Sequence, residues 1–451
     1  MPQMSSDAGI RTRRADLARG LKLGERLRQL RVAAGLTQSE LAGERFSKEY
    51  VSQIERGKTR PTRETIEWLA ARLGVDAGFL ANGVATDERG RLEGALARAE
   101  ALIEALENED AAAEYEKLVP AARAMGVPEL TVRALVGAGR TQMRLGALRP
   151  ALELLNEARA LAEAGNFSDV ERAEVLFALG VCRFQLNSVQ TAIGLLSEAL
   201  ALAERSGLPS DSLRSDILSW RSRCWRRQRD YEAAREDVEC ALELAEDAND
   251  PRTIGAAYFQ ASLVADREGH WVLARSYAER ARAAYEELAD KVHVGQLTNN
   301  LGGLNFLLGK TDEAIGLLKE AFGIALDTGR NADAGRAVSS LAQIHLRTGN
   351  IGQAEEQARH ALRLLGDQED YLDEIGNVQL VLGRALLEQD RVDEAEEAIV
   401  AAEACFDQLG SASHRAAAWV ARGDLAARRG DDRLAAHLYR TAAEALQDVR
   451  F

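Results

Sequence analysis

Between Leu23 and Leu80 the apolar positions fall in short helical stripes broken by polar or glycine-bearing turns. Leu23, Leu27 and Leu30 recur at helical spacing, and Gly35 follows where a C-terminal cap belongs. Thr37-Gln38-Ser39-Glu40 is a capping box, opening a second short helix that carries Leu41 and Ala42. Ser47 caps a third, with Val51 and Ile54 inward and Lys48, Glu49, Ser52 and Gln53 outward. Gly57 and Pro61 end it. Thr62 starts a fourth helix with the stripe Ile66, Leu69, Ala70 and Leu73, and Asp76 opens a fifth around Phe79 and Leu80.

Farther along, the pattern becomes periodic. Gly139, Gly180, Ser222, Ser262, Gly302, Ala342, Gly383 and Gly423 are spaced by 41, 42, 40, 40, 40, 41 and 40 residues. Alanine follows each after twelve residues, from Ala151 to Ala435, and again after seven more, from Ala158 to Ala442. Agreement in all eight units is a repeat and not a bias of composition. Glycine inside a helix costs about 1 kcal/mol relative to alanine. Its recurrence predicts antiparallel helices that touch where neither side chain is large. A weaker ninth unit, Leu92–Gly126, places Ala99, Ala111 and Leu118 in the corresponding positions. These patterns predict an all-α chain.

Composition narrows the function. The 451 residues are 46% hydrophobic and 28% charged, as in ordinary folded proteins, and have no apolar run long enough to span a membrane. No signal peptide opens the chain, so we expect a cytoplasmic protein. Cys182, Cys224, Cys240 and Cys405 lie far apart and read as helix-packing thiols, and the six histidines are scattered, so no metal site or cofactor is expected. Residues 1–82 carry 15 Lys/Arg against 10 Asp/Glu, a balance of +5 that leaves −19 for the remainder of a chain of net charge −14. Only the head suits nucleic acid, because the body repels phosphate.

The residues LTQSELA and YVSQIERGKTRP, at their spacing, resemble the lambda-type phage repressor (Cro/cI, XRE) family of helix-turn-helix domains. The resemblance covers residues 21–82, after a basic arm at 1–20 and before a linker at 83–91. It implies a third helix lying in the major groove of double-stranded DNA, with Lys48, Glu49, Ser52 and Gln53 toward base edges and Ser47 also in the DNA-binding set. Lysine suits guanine, glutamine adenine, and glutamate the cytosine amino group. It further implies phosphate contacts from Gln38, Arg56, Lys58 and Arg60, and a structural pair between Arg31 and Glu55. Here the turn before the third helix has Phe46, where many members have glycine, and is expected to be one residue shorter.

The body, residues 92–451 with eight repeats from about 132, resembles the tetratricopeptide repeat, most closely at Leu301–Phe322. The period near 40 exceeds the usual 34, so helices or turns must be longer. The resemblance implies a right-handed solenoid whose first helices line a binding side. On that side the family positions place Arg140, Arg144, Arg223, Arg226, Arg227, Asn299, Arg336, Gln343, Arg347 and Arg384, and of these, with Asn300, the expected effector residues are Arg140, Arg223, Arg227, Asn299, Asn300, Arg336, Gln343 and Arg384. Guanidinium groups grip carboxylates and Asn amides suit a peptide backbone. Each arginine has the alternative of an internal ion pair. Trp220, Trp225, Trp271 and Trp419 are expected in the core.

The combination resembles the RRNPP regulators, which join such a head to repeats that bind a signalling peptide. The sequence shows no nucleophile–base pair, phosphate loop or ligand cluster, so no catalytic residues are expected. The resemblance implies a homodimer on a palindromic operator, and the final helix, with Leu434, Leu438, Tyr439, Leu446 and Val449, is expected to contribute to the subunit interface. The alternative is a DNA-tethered scaffold with a constitutive protein partner.

Overall fold

The computed structural model describes residues 22–83, 86–366, 371–409 and 412–447, and among them every regular element is a helix. The basic arm and Val449 lie outside the described residues. Contacts between Cα atoms divide the chain into two compact units, one ending at Leu213 and one beginning at Arg214.

The first unit opens with the head: α1 (Leu23–Ala33), α2 (Gln38–Ala42), α3 (Lys48–Glu55), α4 (Arg63–Leu73) and α5 (Ala77–Asn82). Thr37, Ser47, Thr62 and Asp76 each precede a helix and accept a backbone N–H of its first turn, so the four caps start these helices where the side-chain pattern places them. Leu27, Leu30, Leu41, Val51, Ile54, Leu69 and Leu80 close one core, and Ile66 packs at its edge.

The next helix, α6 (Thr86–Glu104), already starts at Thr86, so most of the expected linker is helical. Its first turn holds Asp87 and Glu88, which complement the helix N-terminus, and the pairs Arg91–Asp87 and Arg89–Glu93 span successive turns. With α7 (Asn108–Met125), α6 forms the atypical unit, and Ala99, Ala111 and Leu118 are buried as expected. The unit continues through α8 (Pro128–Arg144), α9 (Leu148–Ala164), α10 (Asp169–Gln185) and α11 (Val189–Arg205).

The second unit contains the rest of α12 (Asp211–Gln228), then α13 (Tyr231–Ala248), α14 (Pro251–Arg267), α15 (Trp271–Glu287), α16 (Lys291–Leu307), α17 (Thr311–Asp327), α18 (Asn331–Arg347) and α19 (Ile351–Leu365). It ends with α20 (Leu372–Glu388), α21 (Val392–Leu409), α22 (Ala412–Arg428) and α23 (Asp432–Gln447). The long period is explained by α16 and α17, each of 17 residues and each followed by a three-residue turn. Those turns carry a left-handed residue every 20 positions: Arg229, Asn249, Gly269, Ala289, Gly309, Gly329 and Gly349.

The alanine columns are buried throughout, but the small-residue column works differently from expectation. A Cβ added at Gly139, Gly180, Gly302 or Gly383 would lie 2.7–2.8 Å from Leu155, Leu196, Leu318 or Ile399, each sixteen residues on. The opposed side chain is therefore large, and the glycine is the socket that receives it. A second socket column, seven residues earlier, escaped the sequence reading. Gly255, Gly295, Gly335 and Gly376 accept Tyr285, Ile324, Leu365 and Phe406.

Candidate nucleic-acid interface and effector cavity

In the head, a reciprocal cap fixes α2: the Glu40 amide donates to Thr37 Oγ1 (3.1 Å) and the Thr37 amide to Glu40 Oε2 (2.7 Å). Hydrogen bonds from Thr37, its backbone amide first, lower the Glu40 carboxyl from its ordinary value. The turn to α3 does contain a glycine at its start, Gly43, with φ +57°. Phe46 closes the turn against Tyr50 and Trp68, with ring centroids 5.4 and 5.1 Å away. Arg72 lies over Trp68 and donates to the Glu40 carbonyl (2.7 Å), tying α4 to α2. The contacts of Trp68 with Phe46 and of Arg72 with Glu40 are tertiary and have no local sequence signal.

Helix α3 is held from behind. Arg31 grips the buried Glu55 carboxylate through Nε (2.6 Å) and Nη2 (3.1 Å), and Gln38 Nε2 donates to the same carboxylate (2.7 Å). Gln38 thus contributes to the anchor and retains one amide hydrogen for another acceptor. Gly24 brings α1 against the end of α3 so closely that a Cβ would stand 2.4 Å from the Ile54 carbonyl oxygen. Arg26, another group the sequence reading missed, is buried and donates to the Leu80 carbonyl (2.9 Å).

The outer face presents Lys48, Glu49 and Gln53 to solvent, with Ser52 half-buried among them. Ser47 is the N-cap, accepting from the Tyr50 amide at 3.1 Å. Arg56 folds back onto α3, donating to Ser52 Oγ (2.8 Å) and to the Ser52 carbonyl (3.1 Å). Gln53 Oε1 accepts from Thr59 Oγ1 (3.1 Å). Lys58 and Arg60 are exposed beside this face. A rigid polar helix flanked by cations is the arrangement that duplex DNA requires.

In the second unit, α12, α14, α16, α18 and α20 contribute to a cavity of about 550 Å³, within the range of about 300–1,000 Å³ typical of ligand sites. Of the expected effector residues, Arg223, Asn299, Asn300 and Arg336 line it. Asn299 and Asn300 also line an adjoining space of about 290 Å³ with Gln343 and Arg347, and Arg384 lines a third, of about 750 Å³. Arg140 and Arg227 line none of these, and Arg140 stands on α8 in the first unit.

Arg336 realises the internal-pair alternative, lying 3.4 Å from Asp333 and 3.2 Å from Glu374. Burial raises the Glu374 carboxyl. On α12, burial, with repulsion from Arg223, pushes Arg226 down to about 10; Arg223, though open to the cavity, is lowered by burial as well.

Several expectations about the body need correction. Trp220 lines the cavity, with Arg223 4.9 Å above its ring, and Trp271 is 39% exposed. Trp225 is partly buried against Ala234, Val238, Ala261 and Val264, and Trp419 is likewise partly buried. An apolar cavity wall and a core have the same periodicity, so the pattern did not separate them. Cys182 and Cys224 are buried, whereas Cys240 is exposed and Cys405 half-buried. Among the described residues, no His, Cys, Asp or Glu cluster suits a metal, and no helix is long and apolar enough to cross a membrane.

Known proteins resemble parts of this chain. The Helix-turn-helix domain family matches residues 22–82, and two Tetratricopeptide repeat families match residues 293–366 and residues 137–209 with 339–409. The HTH-type transcriptional regulator DdrOP3 of Deinococcus deserti is 43% identical over 65 residues, 14% of this chain and 50% of that protein. The chain thus spans about half the length of that curated relative. The apo form of the quorum sensor NprR from B. thuringiensis is 13% identical with a TM-score of 0.57, the match covering 79% of this chain and 99% of that one. A Rap protein complexed with Competence and Sporulation Factor is 17% identical with a TM-score of 0.55, over 80% and 99%. At these identities the likeness is one of fold.

Proposed function

We propose that this chain, a helix-turn-helix domain joined to tetratricopeptide repeats, is a sequence-specific DNA-binding transcriptional regulator controlled by an effector in the repeat cavity. The observation that carries the DNA half is the exposed polar face of α3, immobilised from behind by Arg31, Glu55 and Gln38. Lys48, Glu49, Ser52 and Gln53 face base edges, while Gln38, Arg56, Lys58 and Arg60 approach phosphate.

The effector is a peptide. That reading draws support from the cavity's mixed wall, where Asn299 and Asn300 suit a peptide backbone and Arg223 and Arg226 its carboxylates. Control works by differential affinity: a tenfold change in DNA binding requires an effector preference of about 1.4 kcal/mol between two states. A single head covers a half-site, so the regulator acts as a homodimer on a palindromic operator with half-sites about 34 Å apart. The exposed Leu434, Tyr439 and Leu446 of α23 favour that helix as the subunit contact. The role places the protein in the cytoplasm, with the genome.

The alternative of a DNA-tethered scaffold draws on the exposed Trp271, Val272 and Leu273 at the start of α15. A protein co-purifying in stoichiometric amount would favour it. The deciding experiment is selection from a random duplex pool at low salt by the full chain. Enrichment of a palindromic sequence is the expected result, and retention of no duplex overturns the DNA reading.

A further inference from the structure

Resting on the reading that the cavity holds an effector, we infer that its ligand carries a carboxylate, bound at α12, beside an amide N–H that is received by α16. Buried polar atoms without a partner are rare, because each forfeits its hydrogen bond with water and gains nothing in exchange. Among the described residues, four such atoms belong to side chains lining this one cavity: Ser219 Oγ, Arg226 Nε, Asn299 Oδ1 and Arg336 Nε, of which the last still has Glu374 3.2 Å away as an ion-pair partner.

Their chemistry is complementary to a specific ligand. Ser219, Arg223 and Arg226 lie at i, i+4 and i+7 and so form one stripe of donors along α12. Ser219 is only 4% exposed. The Arg226 guanidinium gives one weak bond, Nη2 to Gln260 Oε1 at 3.5 Å, and its Nε hydrogen has no acceptor. Burial and the neighbouring Arg223 and Arg267 destabilise its charge, and an incoming anion relieves that cost.

Of the carboxylates that line the cavity, Asp216 stands on α12 one turn before Ser219, and the two others are paired with arginines. Asp333 lies within 3.2 Å of Arg330 and 3.4 Å of Arg336, and Glu374 within 3.2 Å of Arg336. An anion is therefore directed to Arg226 on α12 rather than to Arg336 on α18, whose charge Asp333 and Glu374 already share. Asn299 holds the position on α16 that Ser219 holds on α12, two repeats away. It offers an acceptor, which only a donor satisfies. A carboxylate with a nearby N–H meets both demands, and either a peptide C-terminus or an acidic side chain beside its own backbone amide has this chemistry.

The test is binding of short synthetic random peptides to the full chain, read by affinity selection with mass spectrometry and by calorimetry on the peptides recovered. Three pools are compared: free C-terminal acids, C-terminal amides without Asp or Glu, and amides with one Asp or Glu. At least about tenfold tighter binding of a carboxylate pool over the neutral amides is expected, and the better of the two acidic pools identifies the source. Arg226→Met should abolish that preference and Arg226→Lys should retain part of it, while Asn299→Leu weakens all three pools. Equal binding of acids and neutral amides by the unaltered chain overturns the inference and leaves the effector reading standing. If no pool binds, both fall.

Discussion

The head and the repeats build their sites on opposite scales of sequence. In the head, Arg31 and Glu55 are 24 residues apart, and the caps, the anchor and the exposed face of α3 all fall within one short segment. The cavity instead collects side chains from Asp216 to Glu374, each supplied by a helix that resembles its neighbours. The head gains precision from a few irreplaceable contacts, whereas the repeats obtain it from sockets repeated at a fixed period. Damage should therefore be severe and local in the head, but graded and dependent on register in the repeats.

The largest effect is expected for Glu55→Ala. It leaves Arg31, 12% exposed, without its carboxylate and frees Gln38. Breaking a buried pair from one side costs about 3–5 kcal/mol, a large share of what a small domain has. Urea unfolding of the full chain should show an early transition, with DNA binding lost. Calorimetry should find ligand affinity at the cavity unchanged; joint loss of both would break the comparison.

Register in the repeats is tested by neighbouring glycines on α16. Gly302→Ala puts a Cβ 2.7 Å from Leu318 and should destabilise by about 1–3 kcal/mol. Gly303→Ala meets nothing within 4 Å and should stabilise by up to about 1 kcal/mol through helix propensity alone. Denaturant midpoints that shift in the same direction for both would show that the sockets do not set the packing.

Within the head, Gln53→Ala should cost about 1–3 kcal/mol at one base pair of the selected duplex. Lys58→Ala should instead weaken all duplexes alike and lower the slope of log affinity against log salt by about one. Titrations on selected and random duplexes at several salt concentrations separate the two. Equal losses on both kinds of DNA for Gln53→Ala would remove it from the reading face.

How much was legible follows the same division. Thr37–Glu40, Ser47, Thr62 and Asp76 were readable because a cap acts within its own first turn. The alanine columns were readable because eight copies repeat them. The Arg72 bond to the Glu40 carbonyl, the Phe46–Trp68 contact and the Gly24 contact were not, because each joins segments distant in sequence. The second socket column was hidden by its mixture of Ala173, Ser215, Gly255 and Gly295, and by Val132, which breaks it. The cavity residues were partly readable: Asn299 and Arg336 by repeat position, but not Trp220, whose apolar wall mimics a core.

The smallest effect sharpens the comparison most selectively. Ala289, between α15 and α16, has φ +53°, where several equivalent turns have glycine. In the left-handed region an alanine Cβ crowds the following carbonyl, at about 1–2 kcal/mol, while glycine loses more backbone freedom on folding. Ala289→Gly should therefore stabilise by a net of about 0.5–1 kcal/mol. The gain should appear in the urea midpoint, with DNA affinity unaltered. A destabilised variant would mean that the Ala289 methyl packs rather than strains, and that the twenty-residue spacing of these turns does not rest on backbone conformation alone.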